Sequence, residues 1–267
     1  TRLTLDMPPM DGLAPAYKFH RVSEAASLRV SDKQGLLSPA EFTVPQGLMS
    51  LQPRPQGTGY NKDRKWRFVP LLEAFNKQGE VCGTPAALII NQAGGTAGSQ
   101  IASFALPASS FENQALLDLV AQVALRMRDR VFLFEAGAEY FAYFQGEAVK
   151  LGARLAATGS ASSTSTAKPA AVKFFVTSDI GTEFEMTVAL KDGKAEATWK
   201  PGQFAKRTYE VLCTLVDSGG NLLDMLRHPL LVWEPARDPQ FMQISNGRFY
   251  LRGKPWYAHG VNYMPSS

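Results

Sequence analysis

Between residues 171 and 233 the chain runs through five apolar segments of strand length, each cut off by a turn sequence, and this run constrains the fold more than any other feature. The segments are 171–177, 184–190, 195–199, 209–216 and 222–233. Three of the breaks between them are Lys191-Asp192-Gly193, Lys200-Pro201-Gly202 and Asp217-Ser218-Gly219-Gly220. β-Branched and aromatic residues fit a pleated, half-buried surface, while Gly, Pro and Asp supply the tight turns.

Three further runs of the same kind precede these, at 131–134, 140–144 and 148–156, separated by Gly137 and by Gly146-Glu147. Short strands at this spacing over about a hundred residues are the signature of an immunoglobulin-like β-sandwich, assigned to residues 131–236. The inter-sheet disulfide of antibody domains is missing. Cys82 and Cys213 are the only cysteines, lie far apart, and read as small buried hydrophobes. Within the sandwich, residues 158–167 form a Ser, Thr and Ala spacer that is expected to be a mobile loop.

Upstream, residues 1–60 are rich in Pro, Gly, Ser and Gln, with one strand-like run at 17–22 and an expected long surface loop at 39–60. Order returns at Trp66. The runs 66–75 and 86–90 read as two strands joined by the polar, Gly-bearing turn at 76–79, and 100–106 reads as a third. A helix is expected from Ser109, where Ser109-Ser110-Phe111-Glu112 has the form of a capping box. Leu116, Val120, Val123 and Met127 then recur at helical spacing, and Arg126, Arg128 and Arg130 sit toward the negative end of the macrodipole. Residues 1–130 are therefore expected to form an α/β segment. Two domains is the natural division of 267 residues.

Composition narrows the function classes. A hydrophobic fraction of 45% against 19% charged is that of a globular protein with a sizeable core, and no apolar run is long enough to span a bilayer. The net charge of +4 is scattered. Its densest cluster, Lys62, Arg64, Lys65 and Arg67, is interrupted by Asp63 and Trp66 and reads as a solvated loop, so no nucleic-acid partner is expected. His20, His228 and His259 lack metal-ligand spacing, and Gly94-Gly95 with Gly98 does not match a phosphate loop. There is no G-x-S-x-G or G-x-C-x-G nucleophile elbow. Neither a metal nor a cofactor is expected.

The last thirty residues carry the most specific motif. Glu234 to Pro239 is a linker with two prolines, and Asn246-Gly247 is a strong type I′ hairpin signal. Residues 247–265, with Gly247, Phe249, Leu251, Gly253, Lys254 and Pro255 followed by Gly260, Val261 and Asn262, resemble the approach to the (β/α)8 barrel of retaining glycoside hydrolases of the β-galactosidase and cellulase type. Arg252 stands where that pattern usually has Asn. A sandwich just before such a barrel also resembles those enzymes. The segment 66–130 is similar, more weakly, to the later part of a flavodoxin-like, glutamine-amidotransferase-like domain.

The resemblance implies an α+β multidomain chain: an amidotransferase-like segment (1–130), the sandwich (131–236), and the hairpin and first strand of a truncated barrel (237–267). It implies that the two carboxylates of a retaining mechanism lie on later barrel strands, beyond Ser267, so the chain has no catalytic residues and is expected to be inactive alone. It places Asn262 and Tyr263 at the mouth of the first barrel strand as substrate-contacting residues, with His259 and Trp256 earlier on that strand. The implied partners are a carbohydrate substrate, bound through the barrel, and the remainder of the polypeptide or a second chain. With neither an initiator methionine nor a leader at Thr1, a processed chain or fragment is expected, and the resemblance favours a secreted or periplasmic one.

Carboxylates within the chain offer an internal alternative: Glu135 and Glu139 around Gly137, Glu183 and Glu185 on one strand, and Glu234. A solvated face is the plainer reading for the second pair. A competing function is a carbohydrate-binding or scaffold module, for which Tyr140, Phe141, Tyr143, Phe144, Trp199 and Trp233 are the candidate aromatics. Rings alternating along a strand are expected to divide between core and surface.

Overall fold

The computed structural model describes residues 18–31, 33, 35–52, 59–157, 168–234 and 240–257. Its first unit contains β1 (Lys18–Arg21), β2 (Ser27–Val30), β3 (Glu41–Phe42), β4 (Met49–Gln52), β5 (Trp66–Phe75), β6 (Val81–Asn91), β7 (Gln100–Phe104) and α1 (Gln114–Asp129). Five of these strands form an antiparallel sheet in the order β3-β2-β5-β6-β7, and β1 pairs with β4 as a separate two-stranded sheet.

This corrects the flavodoxin-like expectation for residues 1–130. A parallel sheet needs a crossover, usually helical, between successive strands. Here β5 and β6 are joined by a hairpin whose Asn76 side chain accepts from the backbone N–H groups of Gln78 and Glu80. The single described α-helix comes only after β7. The apolar runs misled because this sheet is covered on both faces, which abolishes the alternation that marks an antiparallel strand. On one side, Leu116, Leu119 and Val123 of α1 join Val69, Leu71, Leu88 and Ile90 in a core. On the other, Trp66 and Ile89 pack with Leu51 of β4 and Phe19 of β1. The expected long loop at 39–60 thus contains β3 and β4, while residues 53–58 lie outside the described residues.

The helix start also differs. Residues Ala108–Glu112 form a 3₁₀ turn without a side-chain cap, and Asn113 caps α1 by accepting the Ala115 N–H at 2.9 Å. Asn is among the best capping residues, and its placement after the 3₁₀ turn displaces the Ser109 capping box. The helix ends at Arg130, in the left-handed conformation with φ 55°.

The second unit comprises β8 (Leu133–Ala138), β9 (Ala142–Phe144), β10 (Val149–Leu155), β11 (Pro169–Ser178), β12 (Gly181–Ala189), β13 (Lys194–Trp199), β14 (Thr208–Asp217) and β15 (Leu222–Trp233). Sheets of order β13-β10-β8 and β12-β11-β14-β15-β9 enclose one core, in which Phe174, Val176, Val211 and Cys213 of the larger sheet meet Leu151, Ala153 and Trp199 of the smaller. This is the strand order of an immunoglobulin-like sandwich. A corner tyrosine completes it: Tyr209, buried at the start of β14, accepts the Lys206 N–H through its hydroxyl at 2.8 Å. The spacer 158–167 lies outside the described residues.

The last described unit is an antiparallel meander of β16 (Gln243–Ser245), β17 (Arg248–Leu251) and β18 (Lys254–Trp256). Asn246 and Gly247 both have positive φ, 49° and 69°, as the type I′ hairpin requires. The second turn repeats this with Arg252 and Gly253 at 55° and 73°. The expected first barrel strand runs into residues 258–267, which lie outside the described residues.

Candidate functional site

Among the described residues, titratable groups come together at the junction of the first unit with the sandwich and on the outer face of the five-stranded sandwich sheet, besides the Lys33–Glu73 pair of the first unit. At the junction, Asp224 of β15 is fully buried and accepts from both terminal nitrogens of Arg67 on β5, from the Leu133 N–H at 2.8 Å and from its neighbour Met225 N–H at 2.9 Å. Arg126 of α1 stands 3.6 Å away and donates to the Leu223 carbonyl. Burial pushes the Arg126 pKa down, opposed by the attraction of Asp224. Arg67 also donates to the carbonyls of Leu133 and Met225. This corrects the reading of the basic cluster as a solvated loop: Arg67 is 3% exposed, on the face of β5 opposite Trp66, where Asp224 and the Leu133 and Met225 carbonyls receive it.

Glu135, 1% exposed, lies beside it on β8. Its carboxylate accepts the N–H groups of Asn61, Lys62 and Arg64 at 2.9, 3.4 and 3.3 Å, and Arg154 at 3.1 Å. Asn61 and Asp63 have positive φ, so the amides of this turn converge on one anion, and that anion is the chain's own side chain. Tyr60 lies on Gly152 of β10, and its hydroxyl donates to Glu196 at 2.7 Å. Burial first, and then this bond, push the Tyr60 pKa up to about 12.

His228 completes the junction. Its Nε2 accepts the Ala138 N–H at 3.0 Å while Nδ1 faces the Pro229 carbonyl at 2.9 Å, an arrangement that fits the neutral ring with the proton on Nδ1. Burial lowers its pKa. Gly137 faces the ring at φ 133°, and a Cβ there would come within 2.0 Å of Nε2.

Each of these junction groups is engaged by a partner within the chain. Glu139, the partner of Glu135 in sequence, receives Lys150 on its carboxylate and Lys62 on its backbone carbonyl. Glu183 accepts the Ser178 hydroxyl at 2.7 Å, Glu185 is exposed, and Glu234 faces Arg207 at 3.8 Å. Among the described residues no group of three His, Cys, Asp or Glu side chains is placed to hold a metal ion. Asn262, Tyr263 and His259 lie outside the described residues.

Asp224 and His228 were legible but unread. On β15 they share the inward parity of Leu230 and Val232, so two polar residues occupy a strand face that the rest of the pattern marks as buried.

The aromatics divide as expected. Tyr143 and Trp199 are buried in the sandwich, whereas Tyr140, Phe141, Phe144 and Trp233 are exposed. Phe144 and Trp233 lie opposite each other on β9 and β15, the rings edge to face with centroids 5.1 Å apart. The same outer face holds a groove of about 770 Å³, lined by Thr177, Asp179, Lys206, Arg207, Glu210 and Arg227 among others. Lys206 pairs with Asp179 at 3.0 Å.

Fold and site together define a β-rich chain in which an immunoglobulin-like sandwich is pinned to an antiparallel α+β unit and followed by a β-meander. No described helix is long and apolar enough to cross a membrane.

No family model and no curated protein matches the chain. Among solved structures it is similar to a fibronectin(III)-like module structure of Clostridium thermocellum CbhA, at 10% identity over 82% of this chain and 86% of that one, TM-score 0.27. It is also similar to the β-glucuronidase of Ruminococcus gnavus in complex with an N1-substituted uronic isofagomine, at 8% identity over 92% of this chain and 50% of that one, TM-score 0.28. A third likeness is to the Pseudomonas fluorescens alkylpurine DNA glycosylase AlkC bound to DNA with an abasic site analogue, at 14% identity over 46% of this chain and 39% of that one, TM-score 0.26. At these scores none of the three assigns a function to this chain.

Proposed function

We propose that the chain is an accessory, non-catalytic part of a carbohydrate-active protein, a brace that holds a glycoside hydrolase barrel against a sandwich. One observation carries this reading. The buried carboxylates among the described residues, Glu73, Glu135 and Asp224, are each held by cations and hydrogen-bond donors: Glu73 by Lys33 and Ser31, the others by the junction groups above. A retaining glycosidase needs two carboxyl groups about 5 Å apart with one free to attack, and a carboxylate saturated by donors is a poor nucleophile.

The motif from Gly247 to Pro255 supports the barrel as the neighbour, and the meander that bears it exposes Phe241, Met242, Ile244 and Phe249. Side chains of this kind mark a surface that another element covers. The junction of buried ion pairs fits a brace, because it fixes the angle between units rather than allowing hinge motion.

The test has two parts. The purified chain is expected to show no turnover of aryl glycosides, and the product made by its native source is expected to be longer than these 267 residues by a catalytic domain. Turnover that copurifies with the chain, or a native product ending at residue 267, would overturn the reading.

A further inference from the structure

The outer face of the five-stranded sandwich sheet is neither core nor junction. Its register puts Thr208 opposite Leu231, Glu210 opposite Pro229, and Phe144 opposite Trp233. Because side chains alternate along a strand, Pro229, Leu231 and Trp233 share the face away from the core, while His228, Leu230 and Val232 point inward. The first three span about 13 Å along β15 at the usual rise per residue. All three are exposed, Leu231 at 37% and Trp233 at 51%, and Phe144 beside them at 55%.

Beside this apolar strip lies the polar groove of about 770 Å³. Its volume is within the range of small-molecule sites, and its lining is polar and charged, so the apolar contact has to come from the strip beside it. The charges around it balance. Lys206 is paired with Asp179 at 3.0 Å and Arg207 with Glu234 at 3.8 Å, and the exposed Glu210 and Arg227 add one of each sign. A surface with three cations and three anions attracts neither a polyanion nor a polycation, but it offers many hydrogen-bond donors and acceptors. Exposed aromatic faces next to such a rim match a ligand with apolar C–H faces and hydroxyl edges.

We propose that this face binds a short neutral oligosaccharide, stacked on the exposed Trp233 ring, which Phe144 supports edge to face, and hydrogen-bonded along the groove by Thr208, Glu210 and Arg227. The assignment rests on the reading that the chain serves a carbohydrate-active protein, and it names the surface and the ligand charge class. A protein partner on the same face is the competing occupant. The balanced, ion-paired rim and the small number of exposed rings favour the sugar, since a stable protein interface has a core depleted of charge.

Of the four tryptophans, Trp66 and Trp199 are buried, Trp256 is half-buried, and Trp233 is the exposed one, so tryptophan emission reports this site. The experiment titrates the full chain with β-1,4-linked hexasaccharides of glucose, xylose and mannose, and with a hexagalacturonate as the anionic control, by fluorescence and calorimetry. At least one neutral hexasaccharide is expected to bind saturably at millimolar concentration or below. Trp233→Ala and Phe144→Ala are expected to weaken it about tenfold or more each, and Tyr140→Ala to leave it unchanged. Thermal melting of each variant checks that the exposed substitutions leave the fold intact.

Absence of binding by all three neutral sugars, tighter binding of the galacturonate, or binding that survives Trp233→Ala would each overturn the assignment. So would a concentration-dependent self-association in sedimentation that Trp233→Ala abolishes, which would make the face a protein interface. None of these outcomes touches the accessory reading, which falls only to turnover by the chain or to a native product of this length.

Discussion

Arg67 and Asp224 are 157 residues apart in sequence and form a bidentate ion pair at positions that are 3% and 0% exposed. The pair ties the central strand of the first unit to β15 of the sandwich, and the same carboxylate accepts the N–H of Leu133, where the chain crosses from one core to the other. Phe132 belongs to the first core and Leu133 to the second. The ion pair therefore locks the orientation of the two units at the peptide that connects them.

Removing one partner strands a buried charge. Asp224→Ala is expected to destabilise the chain by about 3–5 kcal/mol in denaturant unfolding. It is also expected to split a single transition into two as the units uncouple. The double variant Arg67→Met, Asp224→Leu should recover only part of the loss, because it removes the stranded charge of Arg67 but leaves the Leu133 N–H without its acceptor. A double variant as unstable as Asp224→Ala would mean that the bonds to the backbone, not the ion pair, hold the junction.

Stability should fall on mild acidification. His228 is neutral when folded and its pKa is lowered by burial, whereas in the unfolded chain it titrates near 6.5. Above that pH both states are neutral and the ring contributes no slope. Below it the unfolded state binds a proton that the folded state refuses, so stability is lost as pH falls, by at most about 1.4 kcal/mol per unit. His228→Gln should flatten the curve between about pH 6.5 and the onset of carboxylate titration. An unchanged slope in that variant would exclude the histidine as its source.

Gly137→Ala is expected to cost more than about 2 kcal/mol, since it combines a φ of 133° with a Cβ 2.0 Å from the His228 ring. Pairing it with His228→Ala relieves the clash but leaves the backbone strain. The double-mutant cycle should therefore show a favourable coupling of roughly 1 kcal/mol or more. Additive losses would show that the ring moves aside freely.

Tyr209→Phe removes the hydroxyl that accepts the Lys206 N–H and leaves the ring packed on Trp199 and Phe204. A loss of about 1–2 kcal/mol in thermal unfolding is expected, with no change in the sandwich core. A neutral substitution would mean that water replaces the hydroxyl at no cost.

Much of the sandwich was legible from sequence because its strands are covered on one face only. On β13 the residues Ala195, Ala197 and Trp199 are buried and those between them exposed, so the period of two is written directly in the residues. The turns were equally plain: Asn246-Gly247 adopts the positive φ at both positions that its composition demands. The division of the aromatic segment, with Tyr143 inward and Phe144 outward, follows from the same alternation.

What the sequence by itself determined is local: the run of sandwich strands, their turn chemistry and the hairpin at Asn246-Gly247. Beyond the turn at 76–79, the order and direction in which strands pair were decided only by the tertiary structure. In the first unit, packing on both faces of β5 and β6 erased the period that would have announced an antiparallel sheet. The junction was decided there as well. Arg67, Glu135, Asp224 and His228 are polar residues whose burial is tolerable only because partners from distant strands arrive to satisfy them, and no local pattern records which partner will come.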